Sequence, residues 1–228
     1  MEPSEEGARE PAVLSEATRL ALRLAPAIAD LRVLAAIASM PRERFVEPAL
    51  RDRAYANVAL PIACEQTISQ PLVVARMLEL LELRPNDRVL DVGTGSGYHA
   101  ALLALLADQV YTLERHPELA RSAQQTIAQL DLDNVHFSVG DGWEGLPDHA
   151  PFDAINVAAA TEREPPPALL AQLAPGARLV APVGAASQHL TLVRRTESGI
   201  AQMTLEGVRF VPLVRGDEEP PGEAQDEP

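Results

Sequence analysis

The sequence predicts an α/β fold built on a mostly parallel sheet, with helices on both faces and an antiparallel hairpin at the C-terminal end. Three observations predict this fold. Between residues 71 and 183, short apolar runs typical of buried strands alternate with segments of helical periodicity. A turn with glycine at every second position, 93–97, follows one of these strands. Two β segments, about 189–195 and 201–213, come last with Gly199 between them, so they can pair as a hairpin.

The first part of the chain is predicted to be helical and is assigned to residues 12–40. Pro26 interrupts the helical pattern, which favours two helices or one kinked helix. The apolar residues at helical spacing are Leu20, Leu24, Ile28, Leu31, Leu34 and Ile37. Residues 41–62 mix charge, proline and aromatic residues without a clean period, which predicts a long structured loop.

The elements that follow are regular. A helix over 70–83 is expected to begin at Pro71, a residue that suits a first helical turn. Strands are predicted at 88–92, 109–114, 135–140, 152–159 and 177–183, and helices at 97–107, 117–130 and 166–174. Strands separated by helices run parallel, and the helices cover both faces of the sheet they form.

Composition excludes several classes of function. The 228 residues carry a formal net charge of -14, whereas a nucleic-acid binder needs clustered Lys and Arg, so no nucleic-acid partner is expected. The single cysteine, Cys64, excludes an internal disulfide and a cysteine-based zinc cluster, and no metal site is predicted. No apolar run is long enough for a membrane span and the N-terminus lacks a secretory pattern, so we expect a cytoplasmic monomer without membrane contacts. Residues 1–11 and the acidic tail 216–228 are predicted to be disordered.

The glycine turn indicates a cofactor, and its spacing leaves two candidates. Dinucleotide enzymes have Gly-x-Gly-x-x-Gly, whereas this chain has Gly-x-Gly-x-Gly at 93–97, with Tyr98 at the position of the third dinucleotide glycine. The missing glycine side chains let the backbone approach a ligand closely. The turn is therefore assigned to cofactor binding through Gly93, Thr94, Gly95 and Gly97. The motif alone does not decide between NAD and S-adenosylmethionine.

Three carboxylates near the strand ends favour S-adenosylmethionine. Asp91 precedes the glycine turn, Glu114 ends the next strand and Asp141 ends the third. Ligands in such sheets bind beyond the carboxyl ends of the strands, where an acidic residue about 20 positions after the turn can hold ribose hydroxyls. A carboxylate at position 141 can accept a hydrogen bond from an adenine amine. Such a field repels a pyrophosphate and suits a sulfonium, which makes NAD the weaker candidate.

Six segments of the sequence form a recognisable set: "MPRERFV" (40–46), "QTISQP" (66–71), "VLDVGTGSGY" (89–98), "VGDGWEG" (139–145), "PFDAINVAAA" (151–160) and "FVPL" (210–213). In this order they resemble the motifs of one family, the protein-L-isoaspartate O-methyltransferases. The resemblance covers roughly residues 30–213. The glycine turn is shared by most class I methyltransferases, while "QTISQP" ahead of it is highly specific. The resemblance implies the Rossmann-like fold of that class over a methyltransferase domain at 41–215.

The family's activity is implied in the same way. Such enzymes transfer a methyl group from S-adenosylmethionine to the side-chain carboxylate of isoaspartyl residues in damaged proteins and peptides, and the ester then closes to a succinimide. By motif, Ser69 matches the active-site serine, although a serine before Pro71 can also cap a helix. The remaining implied positions are Thr67, Ile68 and Gln70 near the sulfonium, Gly93, Gly95, Glu114, Asp141 and Gly142 for the cofactor, and Ala159 and Ala160 for the substrate.

One loop departs from the family pattern and keeps alternatives open. The family has Gly-x-Gly before Gln-Thr-Ile-Ser, whereas this chain has Ala63 and Glu65 in place of the two glycines. We expect a stiffer loop and an added negative charge, from Glu65, where substrate enters. The first alternative is a relative that methylates a normal aspartate of one dedicated peptide to form an aspartimide. The second is a binding module for S-adenosylmethionine without turnover.

Overall fold

The computed structural model describes residues 14–216. The predictions for residues 1–11 and for the tail after Gly216 lie outside the described residues. The helices are α1 (Glu16–Leu24), α2 (Leu31–Ser39), α3 (Pro71–Leu81), α4 (Tyr98–Ala104), α5 (Pro117–Ala128) and α6 (Pro167–Ala171). The strands are β1 (Leu60–Pro61), β2 (Thr67–Ile68), β3 (Arg88–Val92), β4 (Gln109–Glu114), β5 (Val135–Val139), β6 (Phe152–Val157), β7 (Leu173–Val183), β8 (Gln188–Thr196) and β9 (Gly199–Val208).

The main sheet confirms the predicted α/β fold. Its seven strands lie in the order β5-β4-β3-β6-β7-β8-β9, with parallel pairing from β5 to β7. β8 and β9 run antiparallel because only short turns join β7 to β8 and β8 to β9. The predicted terminal hairpin is present, but its second strand ends at Val208 and not near 213. β3 lies between β4 and β6, so the strand order reverses beside it and leaves a crevice at its carboxyl end.

The inner strands β3, β4 and β6 are largely buried on both faces of the sheet, whereas β5 and β9 at its edges are half-buried or exposed. Neighbouring residues of one strand point to opposite sides, so Val89 belongs to one hydrophobic cluster and Leu90 to the other. The first cluster includes buried residues of α1 to α5, and the second includes Leu169 of α6. This double burial explains why the strands read as continuous apolar runs in the sequence.

The N-terminal helices form as two separate elements. α1 is capped by the Ser15 hydroxyl, and α2 by the Asp30 carboxylate, with the residues around Pro26 between them. Leu20 and Ile37 are buried in the same hydrophobic cluster as the sheet. The domain boundary at residue 40 stays a prediction, since the helices and the sheet share this core. Within residues 14–216, none of the helices is long and apolar enough to cross a membrane.

The loop predicted over 41–62 is ordered and built mainly of two 3₁₀ helices, Arg42–Phe45 and Pro48–Arg53. It ends in β1, which pairs with β2 to form a separate two-stranded hairpin immediately before α3. The loop thus lies beside the segment that carries Ser69, and its contacts hold that segment in place.

Candidate active site

A cavity of about 340 Å³ opens at the carboxyl ends of β3 and β4, beside the point where the strand order reverses. Its volume lies in the range of about 300–1,000 Å³ that small-molecule sites occupy. Four chain segments contribute most of its walls: 64–69, 92–96, 113–116 and 211–214. The remaining lining residues are Val74, Tyr98, His99, Gly142, Ala158 and Ala159.

The glycine turn presents its backbone to this cavity. Gly93 has a φ of +90°, a conformation that L side chains rarely adopt, and a Cβ there would meet the Ala158 Cβ at 3.6 Å. The cavity lining includes Gly93, Thr94 and Gly95. Gly97 lies apart from the lining, and a Cβ on it would approach the Ala123 Cβ to 3.0 Å. The first two glycines thus open the turn to a ligand, while the third allows α4 and α5 to pack closely.

Of the three carboxylates predicted to surround the cofactor, Glu114 is the one that lines the cavity. It is buried, and its two oxygens accept hydrogen bonds from the Gly95 N–H at 2.8 Å and the His116 N–H at 3.0 Å. These two bonds fix the orientation of the carboxylate against the glycine turn. Since an ionised carboxylate has about four lone-pair positions, capacity remains for a pair of hydroxyls in the cavity.

Asp91 lies beneath the glycine turn and outside the cavity lining. It is fully buried, with one oxygen accepting from the Asn156 amide at 2.8 Å and the other from the Thr112 hydroxyl at 2.9 Å. Thr112 in turn contacts the Thr94 hydroxyl at 2.6 Å. Burial raises the pKa of Asp91 to about 6. The structure therefore places Asp91 in a hydrogen-bonded network that supports the turn from below.

Asp141 lies at the edge of the site and contacts the C-terminal segment. Its carboxylate accepts from the Trp143 N–H at 2.8 Å and from the Gly216 N–H at 2.7 Å. The adjacent Gly142 lines the cavity, and a Cβ there would lie 2.7 Å from Val92 Cγ1 and 2.9 Å from Leu213 Cδ1. A side chain at position 142 would therefore force the wall of the cavity apart.

The hairpin before α3 carries the predicted catalytic segment. Its turn, residues 63–66, is closed by the Gln66 N–H donating to the Ala63 carbonyl at 3.2 Å. Cys64 and Glu65 have φ values of 55° and 56°, so both central residues adopt the left-handed conformation of a type I′ turn. The chain thus retains a glycine-type backbone at Glu65 with a non-glycine residue, and Ala63 is not among the residues with positive φ. Partial burial, together with Glu118 and Glu114, raises the pKa of the Cys64 thiol, which disfavours a nucleophilic role.

Ser69 lines the cavity and does not cap α3. The N-cap of that helix is Gln70, which makes no side-chain capping bond. The amide of Leu72, in the first helical turn, donates instead to the Asn57 side chain at 2.9 Å. Thr67 and Ile68 share the cavity wall with Ser69, while Gln70 lies outside it. The Ser69 hydroxyl is therefore not committed to the helix end.

The C-terminal segment 211–214 forms one wall of the cavity, although its residue types gave no sign of a binding role in the sequence. The Ala160 N–H donates to the Val211 carbonyl at 2.8 Å, and the Leu213 N–H donates back to Ala160 at 2.7 Å. The indole of Trp143 also donates to the Leu213 carbonyl at 3.0 Å. Ala159 lines the cavity, whereas Ala160 anchors this segment. The only signal in the sequence was the "FVPL" match at 210–213.

His99 is a second lining residue whose place the sequence did not indicate. It is buried on α4, where burial lowers its pKa to about 4. The imidazole is therefore neutral at physiological pH, and it adds no positive charge to the cavity.

Three features together are typical of class I methyltransferases: a glycine turn after β3, an acidic residue at the end of β4, and a ligand-sized cavity where the strand order reverses. The fold and the site therefore assign the protein to this class. The family model of protein-L-isoaspartate(D-aspartate) O-methyltransferase (PCMT) matches residues 18–218, and the chain belongs to this family.

Relatives of similar length support this membership. A protein-L-isoaspartate O-methyltransferase of Serratia proteamaculans is 53% identical over 190 residues, which cover 83% of this chain and 91% of that protein. One from Shewanella pealeana is 49% identical over 208 residues, or 91% of this chain and 98% of the relative. A crystal structure from Plasmodium falciparum, described as a protein-L-isoaspartate O-methyltransferase in complex with S-adenosyl-L-homocysteine, superposes with a TM-score of 0.77 at 26% identity, covering 88% of this chain and 99% of that chain.

Proposed function

We propose that this protein methylates the free carboxylate of L-isoaspartyl residues in damaged proteins and peptides, using S-adenosylmethionine. The observation that carries the proposal is that Ser69 and Glu114 line one cavity together with the open glycine turn. The methyl ester then closes spontaneously to a succinimide, and hydrolysis of that ring returns some normal aspartate. The overall effect is repair of a backbone that had been extended by one carbon.

The residues present fit S-adenosylmethionine. The exposed backbone at Gly93 offers a cradle that a side chain would fill, and Glu114 is oriented to accept from ribose hydroxyls. Asp141 and Gly142 are proposed to hold the adenine edge, and Thr67 and Ile68 to lie near the sulfonium, whereas Gln70 lies outside the cavity lining. When bound, the cofactor supplies an activated methyl group whose sulfur leaves as a neutral thioether. The turn reads Gly-x-Gly-x-Gly, with Tyr98 at the position of the third dinucleotide glycine, which disfavours NAD.

On the acceptor side, the protein has to position a group that is already reactive. A carboxylate is ionised near neutral pH, so no general base is needed. We assign to Ser69 the role of orienting this carboxylate through its hydroxyl, with Ala159 leaving room for the substrate backbone. Positioning and the exclusion of water then provide most of the rate enhancement.

A second candidate substrate follows from Glu65. Glu65 is an exposed residue at the lining of the cavity and lies in a left-handed turn where the family pattern has glycine, so its carboxylate can pair with a basic group of one dedicated peptide. In that case a normal aspartate would be methylated to form an aspartimide. We propose that the enzyme works as a monomer in the cytoplasm, where a single unpaired cysteine stays reduced.

The deciding experiment measures tritiated methyl transfer to matched peptides that differ only in aspartate or isoaspartate at one position. Repair predicts strong preference for isoaspartyl peptides across unrelated sequences. Transfer to one aspartyl peptide alone would favour the dedicated-substrate alternative. Tight S-adenosylhomocysteine binding by calorimetry, without transfer to any peptide, would indicate a binding module. NAD binding without S-adenosylhomocysteine binding would overturn the cofactor assignment.

A further inference from the structure

A single buried cation lies directly behind the Ser69 segment. Arg42 is 0% exposed, and its guanidinium donates from Nε to the Ala54 carbonyl and from Nη2 to the Ser69 carbonyl, both at 2.8 Å. Its guanidinium carbon lies 4.6 Å from the centroid of the Tyr98 ring. Arg42 thus ties the loop 41–59 to the residue that we assign to the acceptor carboxylate.

The charge of Arg42 has no acidic partner within residues 14–216. No salt bridge of the described chain includes it, and burial lowers its pKa. Removing a cation from water is unfavourable unless an anion or dense hydrogen bonding compensates it. Two carbonyls and an aromatic ring are modest compensation, and a neutral side chain could also hold a carbonyl. The position of this positive charge therefore needs a functional account.

The electrostatics of the cavity supply one. Its lining residues include Glu65 and Glu114, together with Arg115 beside Glu114 on the donor side, while the proposed acceptor is itself a carboxylate. Like charges repel, and the charge of the buried Glu114 is screened by water much less than that of the exposed Glu65. Arg42 is the cation bonded to the carbonyl of Ser69, on the acceptor side of the site.

We propose that Arg42 is a positioning residue for the acceptor: it holds the backbone of Ser69 in place and provides the positive potential that favours an ionised carboxylate beside that serine. Tyr98 holds the guanidinium plane by stacking, and Ala54 fixes its other edge. Arg42 reaches the donor half through Tyr98, which begins α4 directly after the glycine turn and lines the cavity. Glu114 is hydrogen-bonded to Gly95 and His116 and not to Arg42. This role rests on the proposed function.

The test separates the effect of the Arg42 charge from the effect of its hydrogen bonds to the Ala54 and Ser69 carbonyls. Arg42→Lys keeps the charge but cannot bridge both carbonyls with a planar fork, whereas Arg42→Gln removes the charge. Binding to the protein saturated with S-adenosylhomocysteine is measured for an isoaspartyl peptide and for its isoasparaginyl analogue, in which a neutral amide replaces the carboxylate. Arg44→Gln serves as the control, because Arg44 lies in the same 3₁₀ helix but contacts the exposed Gln129 side chain.

We expect Arg42→Gln to reduce the preference for the charged peptide over the neutral one on the order of tenfold, as one buried charge at short range predicts. Arg42→Lys should retain that preference while lowering kcat, and Arg44→Gln should behave like the wild type. S-adenosylhomocysteine affinity should stay within about twofold in all variants. Equal weakening of both peptides by Arg42→Gln, or parallel loss of S-adenosylhomocysteine binding, would assign Arg42 a purely structural role and overturn the proposal. Should Arg42→Gln not fold, loss of the preference in Arg42→Lys overturns it as well. Failure of the wild type to methylate isoaspartyl peptides would instead refute the proposed function.

Discussion

Asp91 offers a quantitative test of how the glycine turn is supported. Its carboxylate is fully buried, and desolvation raises its pKa from the ordinary 3.8 to about 6, with the hydrogen bonds from Asn156 and Thr112 opposing the shift and nearby Glu114 adding to it. Replacing Asp91 by Asn removes the ionisation and preserves the shape. The new amide can accept from Asn156 and donate to Thr112, whose hydroxyl can turn toward Thr94.

The sign and size of the effect follow from linkage. Because the folded pKa of Asp91 lies above the unfolded value, the folded state binds the proton more tightly, so stability is greatest at low pH and falls as pH rises through the window from 3.8 to about 6. The total loss is about 3 kcal/mol, since each pKa unit corresponds to about 1.4 kcal/mol. About 2 kcal/mol of it falls between roughly pH 4.5 and pH 7.5. Asp91→Asn should lose this dependence.

Urea unfolding of the wild type and of Asp91→Asn across that pH range measures the difference directly. The free energy of unfolding of the variant, minus that of the wild type, should increase by about 2 kcal/mol from the low to the high end of this pH range. Asp108→Asn, on the exposed turn before β4, controls for the loss of one negative charge. Parallel pH profiles for wild type and Asp91→Asn would refute the reasoning, because they would mean that Asp91 ionises equally in the folded and unfolded chain.

Three further substitutions test the site. Ser69→Ala should lower kcat while leaving thermal stability and S-adenosylhomocysteine affinity unchanged, since Ser69 does not cap α3. Steady-state rates measure the first effect and calorimetry the other two. Unchanged turnover would exclude the role assigned to Ser69. Asp141→Ala should weaken S-adenosylhomocysteine binding by about 1.5–3 kcal/mol, the value of a hydrogen bond to a charged group, and calorimetry showing no change would place the adenine elsewhere. Glu65→Gly should raise the free energy of unfolding in urea by about 0.5–1 kcal/mol, because relief of left-handed strain exceeds the entropic cost of glycine; a destabilised variant would contradict the strained turn.

Much of the fold could be predicted because its signals are local. The apolar strands, the helical periods between them and Pro71 at the start of α3 each depend on a few neighbouring residues, and all are present in the structure. The end of β9 at Val208 could not be predicted, because residues 210–213 have the apolar character of a strand but contact Ala160 and the cavity in place of a neighbouring strand. Apolar pattern predicts burial, and it does not tell which partner buries a segment.

The sequence by itself determined the family and the cofactor-binding turn. The motifs from "QTISQP" to "FVPL" and the glycine spacing need no coordinates to be recognised, and the PCMT family match covers the same part of the chain. A motif is defined by residue types and their order along the chain, and the sequence alone contains both.

The tertiary structure decided which of these residues face the cavity. Three acidic positions at strand ends look equivalent in the sequence, yet Asp91 is turned into a buried network, Asp141 accepts from Gly216, and Glu114 lines the cavity. Likewise, only the fold shows that Asn57, and not Ser69, accepts a hydrogen bond from the first turn of α3. It also shows that Arg42 donates to the Ser69 carbonyl. The physical reason is that a carboxylate or a guanidinium takes its role from the hydrogen-bond partners and the burial that it meets, and here those partners lie as many as 75 residues away along the chain.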